Sequence, residues 1–171
     1  MRDTASLLMN LAEDHIRDAG YAGFSFRDLA AEAGIKSASV HHHFATKSAM
    51  TAAVAKRYAD RFFLSVAPKP GESASEAIAA YREAFRSSFS RDGRMCLFGV
   101  LGAEAGGLAP EVASVILAFF QRCIEDLSQR IGGTDAQARA FQVMATLEGG
   151  MILARIYKDV AAFDQAVAAL A

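Results

Sequence analysis

An all-α fold is the expectation for this 171-residue chain, and three features carry it. Apolar residues recur three and four apart over long stretches, as one face of a helix requires. No segment sustains the period-2 alternation of a half-buried strand. Alanine is abundant and there are only three prolines, so little interrupts helical runs. Hydrophobic residues make up 53% of the sequence, enough for a large apolar core or cavity. The length fits one compact domain, or a small head fused to a larger body.

About nine helices are predicted. Residues 4–19 form the first, with Leu8, Leu11, Ala12, His15 and Ile16 on one face, and Gly20 ends it. Ser25 is an N-cap, with Asp28 three residues on in capping-box spacing, for a short helix over 26–33. Gly34 breaks that helix, and Ser37 starts another reaching His43 or Phe44, with Val40 and Phe44 inward. Two short helices around a glycine turn are the helix-turn-helix pattern. A longer helix over 47–66 is stopped by "APKPGES", residues 67–73, where the chain is expected to divide into head and body. Further helices are predicted over 73–89, 95–106, 110–131 and 134–157, with a tail helix after Val160. Gly132 and Gly133 separate the two longest.

The net charge of −1 gives no global argument for nucleic acid, but its distribution does. From Ala33 to Ala59 there is no Asp or Glu, while Lys36, Lys47, Lys56, Arg57 and three of the four histidines fall there. Such a patch points either to a local anionic partner or to a plain solvated face. No apolar run reaches the roughly 20 residues a membrane helix needs. The N-terminus carries acids through its apolar spacing, unlike a signal peptide. A cytoplasmic protein with Cys96 and Cys123 reduced is therefore expected.

The most conspicuous motif is "SASVHHHF", residues 37–44. His41, His42 and His43 could hold a metal, face an anion or form an ordinary helix surface. Successive helical side chains diverge by about 100°, so no two of the three share a face. Metal-binding histidines on a helix need i, i+3 or i, i+4 spacing. The metal reading therefore requires that the segment not be helical; no metal or cofactor is expected.

The stretch "GYAGFSFRDLAAEAGIKSASVHHHFATKSAM", residues 20–50, resembles the DNA-binding head of TetR-type transcriptional repressors. The Gly-Tyr after the first helix, the Ala-Glu-Ala-Gly turn, the histidine-phenylalanine end and the following Lys all fall in register. The resemblance is specific over about 45 residues, and the body matches only in length and helical pattern. It implies a helix-turn-helix domain over 1–46, a connecting helix over 47–66, and a ligand-binding and dimerisation domain over 67–171. Helix 37–43 would enter the major groove with Lys36, Ser37, Ala38, Ser39 and His42 toward base edges. Ser25 and Lys47 would flank the groove at phosphates, with His41 and His43 as phosphate-side supports, and Arg27 is a further DNA-binding candidate. Histidine at all three places, and Phe24 where threonine is common, depart from the family pattern.

In the body, methionines and aromatics scattered over several helices suit either a core or an apolar ligand cavity. The ligand set predicted is Tyr81, Phe85, Phe89, Cys96, Val100, Glu104, Phe119, Met144, Glu148 and Met151, with the two glutamates orienting the ligand. Cys96, Gly99, Ala103 and Gly106 fall on one stripe of small residues that would admit a neighbouring helix. The same segment resembles a stretch in repressors of this family that respond to reactive compounds, which would make Cys96 a sensor needing thiolate and exposure. Cys123 reads as buried filler. The family's last long helix pair usually forms a dimer seam, assigned here to Val115, Phe119, Ile124, Leu127, Gly149 and Ile156. The function implied is a homodimeric repressor, not an enzyme, released from a near-palindromic operator by a small apolar or reactive effector. A cavity enzyme and an adaptor without DNA contact are the alternatives; no nucleophile–base pair or phosphate loop supports the first.

Overall fold

The computed structural model describes residues 4–170, and among them are nine α-helices and no strand. They are α1 (Thr4–Ala19), α2 (Phe26–Glu32), α3 (Ser37–His43), α4 (Lys47–Ser65), α5 (Ala74–Asp92), α6 (Leu97–Ala103), α7 (Pro110–Ile131), α8 (Ala136–Tyr157) and α9 (Val160–Ala166), with single 3-10 turns at Tyr21–Gly23 and Ala105–Gly107. The all-α expectation is borne out.

Local chemistry sets the boundaries. Both capping boxes close: the Ser25 hydroxyl accepts from the Asp28 amide and Asp28 accepts from the Ser25 amide, and Ser73 and Glu76 do the same for α5. The turn between α2 and α3 runs through Gly34 at φ 69°, a conformation that L side chains rarely adopt. Asp159 caps α9 by accepting from the Ala161 amide. The helix predicted over 95–106 is shorter than expected. Arg94 to Cys96 precede it, and four glycines between 99 and 107 weaken its continuation. Cys96 and Gly106 therefore lie outside α6, and the small-residue stripe is not one helix face.

The chain packs as two compact units, residues 4–59 with 97–117, and residues 60–96 with 118–170. Along the chain the two units exchange inside α4, just before α6 and inside α7. In the first unit α1 packs on α2 and α6, and α2 on α3. Its core holds Leu8, Ile16, Leu29, Val40, Val54, Phe98 and Leu101. Arg17 is fully buried there with its guanidinium over the Tyr58 ring, and Arg57 pairs with Glu13 at 3.1 Å. The second unit packs α5, α8 and α9 together around Ile78, Tyr81, Phe85, Leu147, Met151 and Phe163. Gly150 lets α9 pack closely on α8: a Cβ there would press the Phe163 ring at 3.0 Å.

Candidate nucleic-acid interface and buried body site

The helix-turn-helix is built from α2, the Gly34 turn and α3. Val40 is buried, anchoring α3, while Lys36, Ser37, Ala38, His41, His42 and His43 are exposed and Ser39 is half-buried. The outward surface of α3 is therefore small, polar and free of acids. His41 leans edge-on against Phe26 of α2 at 4.9 Å between ring centroids, and His42 meets His43 at 5.5 Å. His41 is thus steadied by an aromatic neighbour, whereas His42 lies about 100° further round the helix. Arg27 is exposed on the first turn of α2, beside the Ser25 cap. The Ser25 hydroxyl and amide hold the Asp28 carboxyl below its usual range. That hydroxyl is already engaged, donating to Asp28 at 2.6 Å.

Lys47 is placed differently from a freely extended phosphate ligand. Its ammonium donates to the Phe24 carbonyl at 2.5 Å and lies over the rings of Tyr21 and Phe24, 4.7 and 4.4 Å from their centroids. Partial burial pulls its pKa down, opposed by the charges of Asp28 and Glu104. Phe24, the departure from the family pattern, is thus a packing platform for this lysine. The start of α4 stands at the same place in sequence, where Thr46 accepts from the Ala49 amide, and a helix N-terminus of this kind favours an anion.

Glu104, predicted to orient a ligand, instead accepts the Tyr21 amide at 2.8 Å. Gly20 leaves space for it: a Cβ there would lie 1.9 Å from the carboxylate oxygen. Ser48 likewise donates to the Glu111 carboxylate. These contacts join residues 83 and 63 apart in sequence, and nothing in either stretch taken alone announces them. Val100 also belongs to this first unit.

The second unit gathers the rest of the predicted ligand set. Tyr81, Phe85, Phe89, Cys96, Phe119, Met144 and Met151 are all buried. Phe62 is a hub that sequence reasoning missed, with centroids 5.5, 5.7 and 5.2 Å from Tyr81, Phe85 and Phe119. Behind them runs a polar chain. The Tyr81 hydroxyl donates to Asp126 at 2.8 Å, and Arg130 donates to Asp126 and Glu72 at 2.7 Å each and to the Val66 carbonyl at 2.8 Å. Burial pushes the Tyr81 hydroxyl and the Cys123 thiol well above their ordinary values, and the neighbouring carboxylates add to it.

Glu148 is the exception to this pairing. The residue is half-buried, but both carboxylate oxygens are sealed and neither has a hydrogen-bond partner. Burial pushes its pKa up to about 7, with the Cys96 thiol pulling weakly the other way. Cys96 itself is 3% exposed and faced by this carboxylate, two conditions that oppose the thiolate a reactive sensor needs.

The predicted dimer seam divides. Phe119, Ile124 and Leu127 are buried within the chain's own core, so the apolar face of α7 that contains them is already covered. Val115 and Gly149 are half-buried and Ile156 is 70% exposed. Among the described residues, exposed large apolar side chains concentrate on α8, at Phe141, Ile152, Leu153, Ile156 and Tyr157, with Leu64 on α4 and Leu117 on α7 also exposed. No described helix is long and apolar enough to cross a membrane.

Residues 8–54 match the family model for bacterial regulatory proteins of the tetR family. No curated protein sequence matches the chain. Among solved structures, a TetR transcriptional regulator from Legionella pneumophila is 27% identical, with a TM-score of 0.89 over 97% of this chain and 94% of that one. A TetR-family regulator from Agrobacterium tumefaciens is also 27% identical, with a TM-score of 0.87 over 95% and 92%. The reduced form of E. coli NemR has the same fold at 22% identity, with a TM-score of 0.81 over 99% and 95%. A helix-turn-helix whose second helix presents an acid-free face, in an all-helical chain similar in fold to these proteins, is that of a DNA-binding transcriptional regulator. Residues 8–54 thus match the tetR family's regulatory model, and the chain as a whole is similar in fold to solved TetR-family regulators.

Proposed function

We propose that this regulator acts as a cytoplasmic homodimeric repressor that leaves a near-palindromic operator when a small effector binds its body. Functionally, residues 1–46 read DNA, 47–66 connect, and 67–171 bind effector and partner. The observation that carries the DNA reading is the exposed, acid-free face of α3, with Lys36, Ser37, Ala38, Ser39 and His42 toward base edges and His41, His43 and the start of α4 at phosphates. Ser25 and Lys47 support it by shaping the groove-flanking backbone, and Arg27 adds an exposed charge. Operator affinity is expected to fall steeply with salt, and Lys36→Ala should lower the log–log slope by about one. An operator affinity indifferent to salt would favour an adaptor that does not touch DNA.

The dimer is supported by the stripe Phe141, Ala145, Gly149, Ile152 and Ile156, which α8 presents at steps of four, four, three and four. A two-fold dimer reading a near-palindromic operator needs its two α3 helices at successive major grooves, roughly 34–36 Å apart. Ile156→Glu should yield monomers in sedimentation and lose operator affinity together. A dimer undisturbed by that change places the seam elsewhere. The effector reading rests on the aromatic hub with Tyr81, Phe85, Phe119, Met144, Glu148 and Met151. Helix α4 runs unbroken from Lys47 to Ser65 and is the covalent route from effector to head.

A further inference from the structure

We propose that the effector is an aromatic or alicyclic organic cation, recognised by charge pairing with the Glu148 carboxylate. This rests on the reading that the second unit binds an effector, and it narrows that effector's chemistry. A buried carboxylate with both oxygens unpartnered is costly and is normally matched by a cation or by donors. Three arginines of the same unit are engaged by other groups. Arg130 is engaged by Glu72 and Asp126, Arg86 by Asp164, and Arg122 lies 3.8 Å over the Phe63 ring.

The polar groups around Glu148 cannot supply the charge either. Cys96, just before α6, and Cys123 on α7 are thiols, and behind Cys123 stand the neutral Tyr81 hydroxyl on α5 and the acidic Asp126. Along α8, Met144 and Met151 are four residues before and three after Glu148, on the same helix face and both buried. Flexible, polarisable methionines are the side chains that can move aside for a guest. Phe62, Tyr81, Phe85 and Phe119 form an aromatic cluster in the same unit, whose ring faces attract a cation and cover an apolar scaffold. A neutral ligand would leave the carboxylate's charge unanswered, whereas an ammonium group would supply the missing counter-ion.

The test uses two probes of matched size, 4-phenylbutylamine and 4-phenylbutan-1-ol, titrated calorimetrically into the full-length protein. The amine is expected to bind about tenfold more tightly than the alcohol, the scale of a charge-assisted over a neutral hydrogen bond. Glu148→Gln should bring the two affinities together by weakening the amine, with circular dichroism confirming the fold. The wild-type protein gives a second readout: between pH 7 and pH 5.5 amine affinity should fall by up to tenfold per unit, because Glu148 must first lose its proton. Equal binding of amine and alcohol to the wild type overturns the cation assignment and leaves an apolar effector site standing. An amine preference that survives Glu148→Gln also overturns it, since the charge would then be read elsewhere. Absence of binding by either probe overturns the assignment and removes support for the effector site itself.

Discussion

Replacing Arg130 with methionine should destabilise the protein by about 3–5 kcal/mol, the typical result of breaking a buried ion pair from one side. The side chain is 9% exposed and Glu72 6%, and the guanidinium makes a forked contact with Glu72 at 2.7 and 3.0 Å. It also bridges to Asp126 at 2.7 Å and caps the Val66 carbonyl at 2.8 Å, where α4 has just ended. Methionine keeps much of the stem's packing but leaves Glu72 sealed without a cation, Val66 without its donor, and Asp126 relying on Tyr81 alone. Urea denaturation should show a lower midpoint with little change in slope. The contrast is Arg86, whose forked pair with Asp164 is made at 39% and 43% exposure; Arg86→Met should barely move the midpoint. Equal losses at the two sites would mean that burial does not set the worth of these pairs.

Much of the fold was legible because its determinants are local. A serine with an acid three residues on closes α2 and α5, glycines end helices, and the tight Gly34 turn joins α2 to α3 within a dozen residues. The reading surface was legible for the same reason: once 37–43 is a helix with Val40 inward, the outward positions follow from a period of 3.6. Periodicity fails where the question is what covers a face. The apolar spacing of α7 predicted burial correctly, yet Phe119, Ile124 and Leu127 are covered by their own chain rather than by a second copy. It also fails for side chains whose partners lie far away in sequence. Glu104 and Glu148 look alike as glutamates in apolar stretches, but one accepts the Tyr21 amide and the other is sealed without a partner. Only the folded chain, which brings Gly20 beside one and Cys96 beside the other, separates their roles.

The same carboxylate gives the protein a pH-dependent stability that substitution should remove. In the folded chain burial raises the Glu148 pKa from 4.5 to about 7, so the native state holds a proton that the unfolded state has lost. Stability from this group is therefore complete below about pH 4.5 and declines as pH rises to about 7, where the decline ends. A shift of that size corresponds to about 3 kcal/mol. Glu148→Gln carries no titrating proton. Its stability relative to wild type should improve by about 3 kcal/mol between pH 4 and pH 8, whatever the buried amide itself costs. Thermal melts of both proteins at a series of pH values measure this directly, and parallel curves would show that the carboxylate is solvated in solution. A gain at pH 8 matters for function as well as for folding. A residue that weakens the resting protein at neutral pH is retained at a cost, and a cationic effector that pairs with it would recover that stability on binding. An effector amine should accordingly raise the wild-type melting temperature more at pH 8 than at pH 5.5, and should lose that dependence in Glu148→Gln.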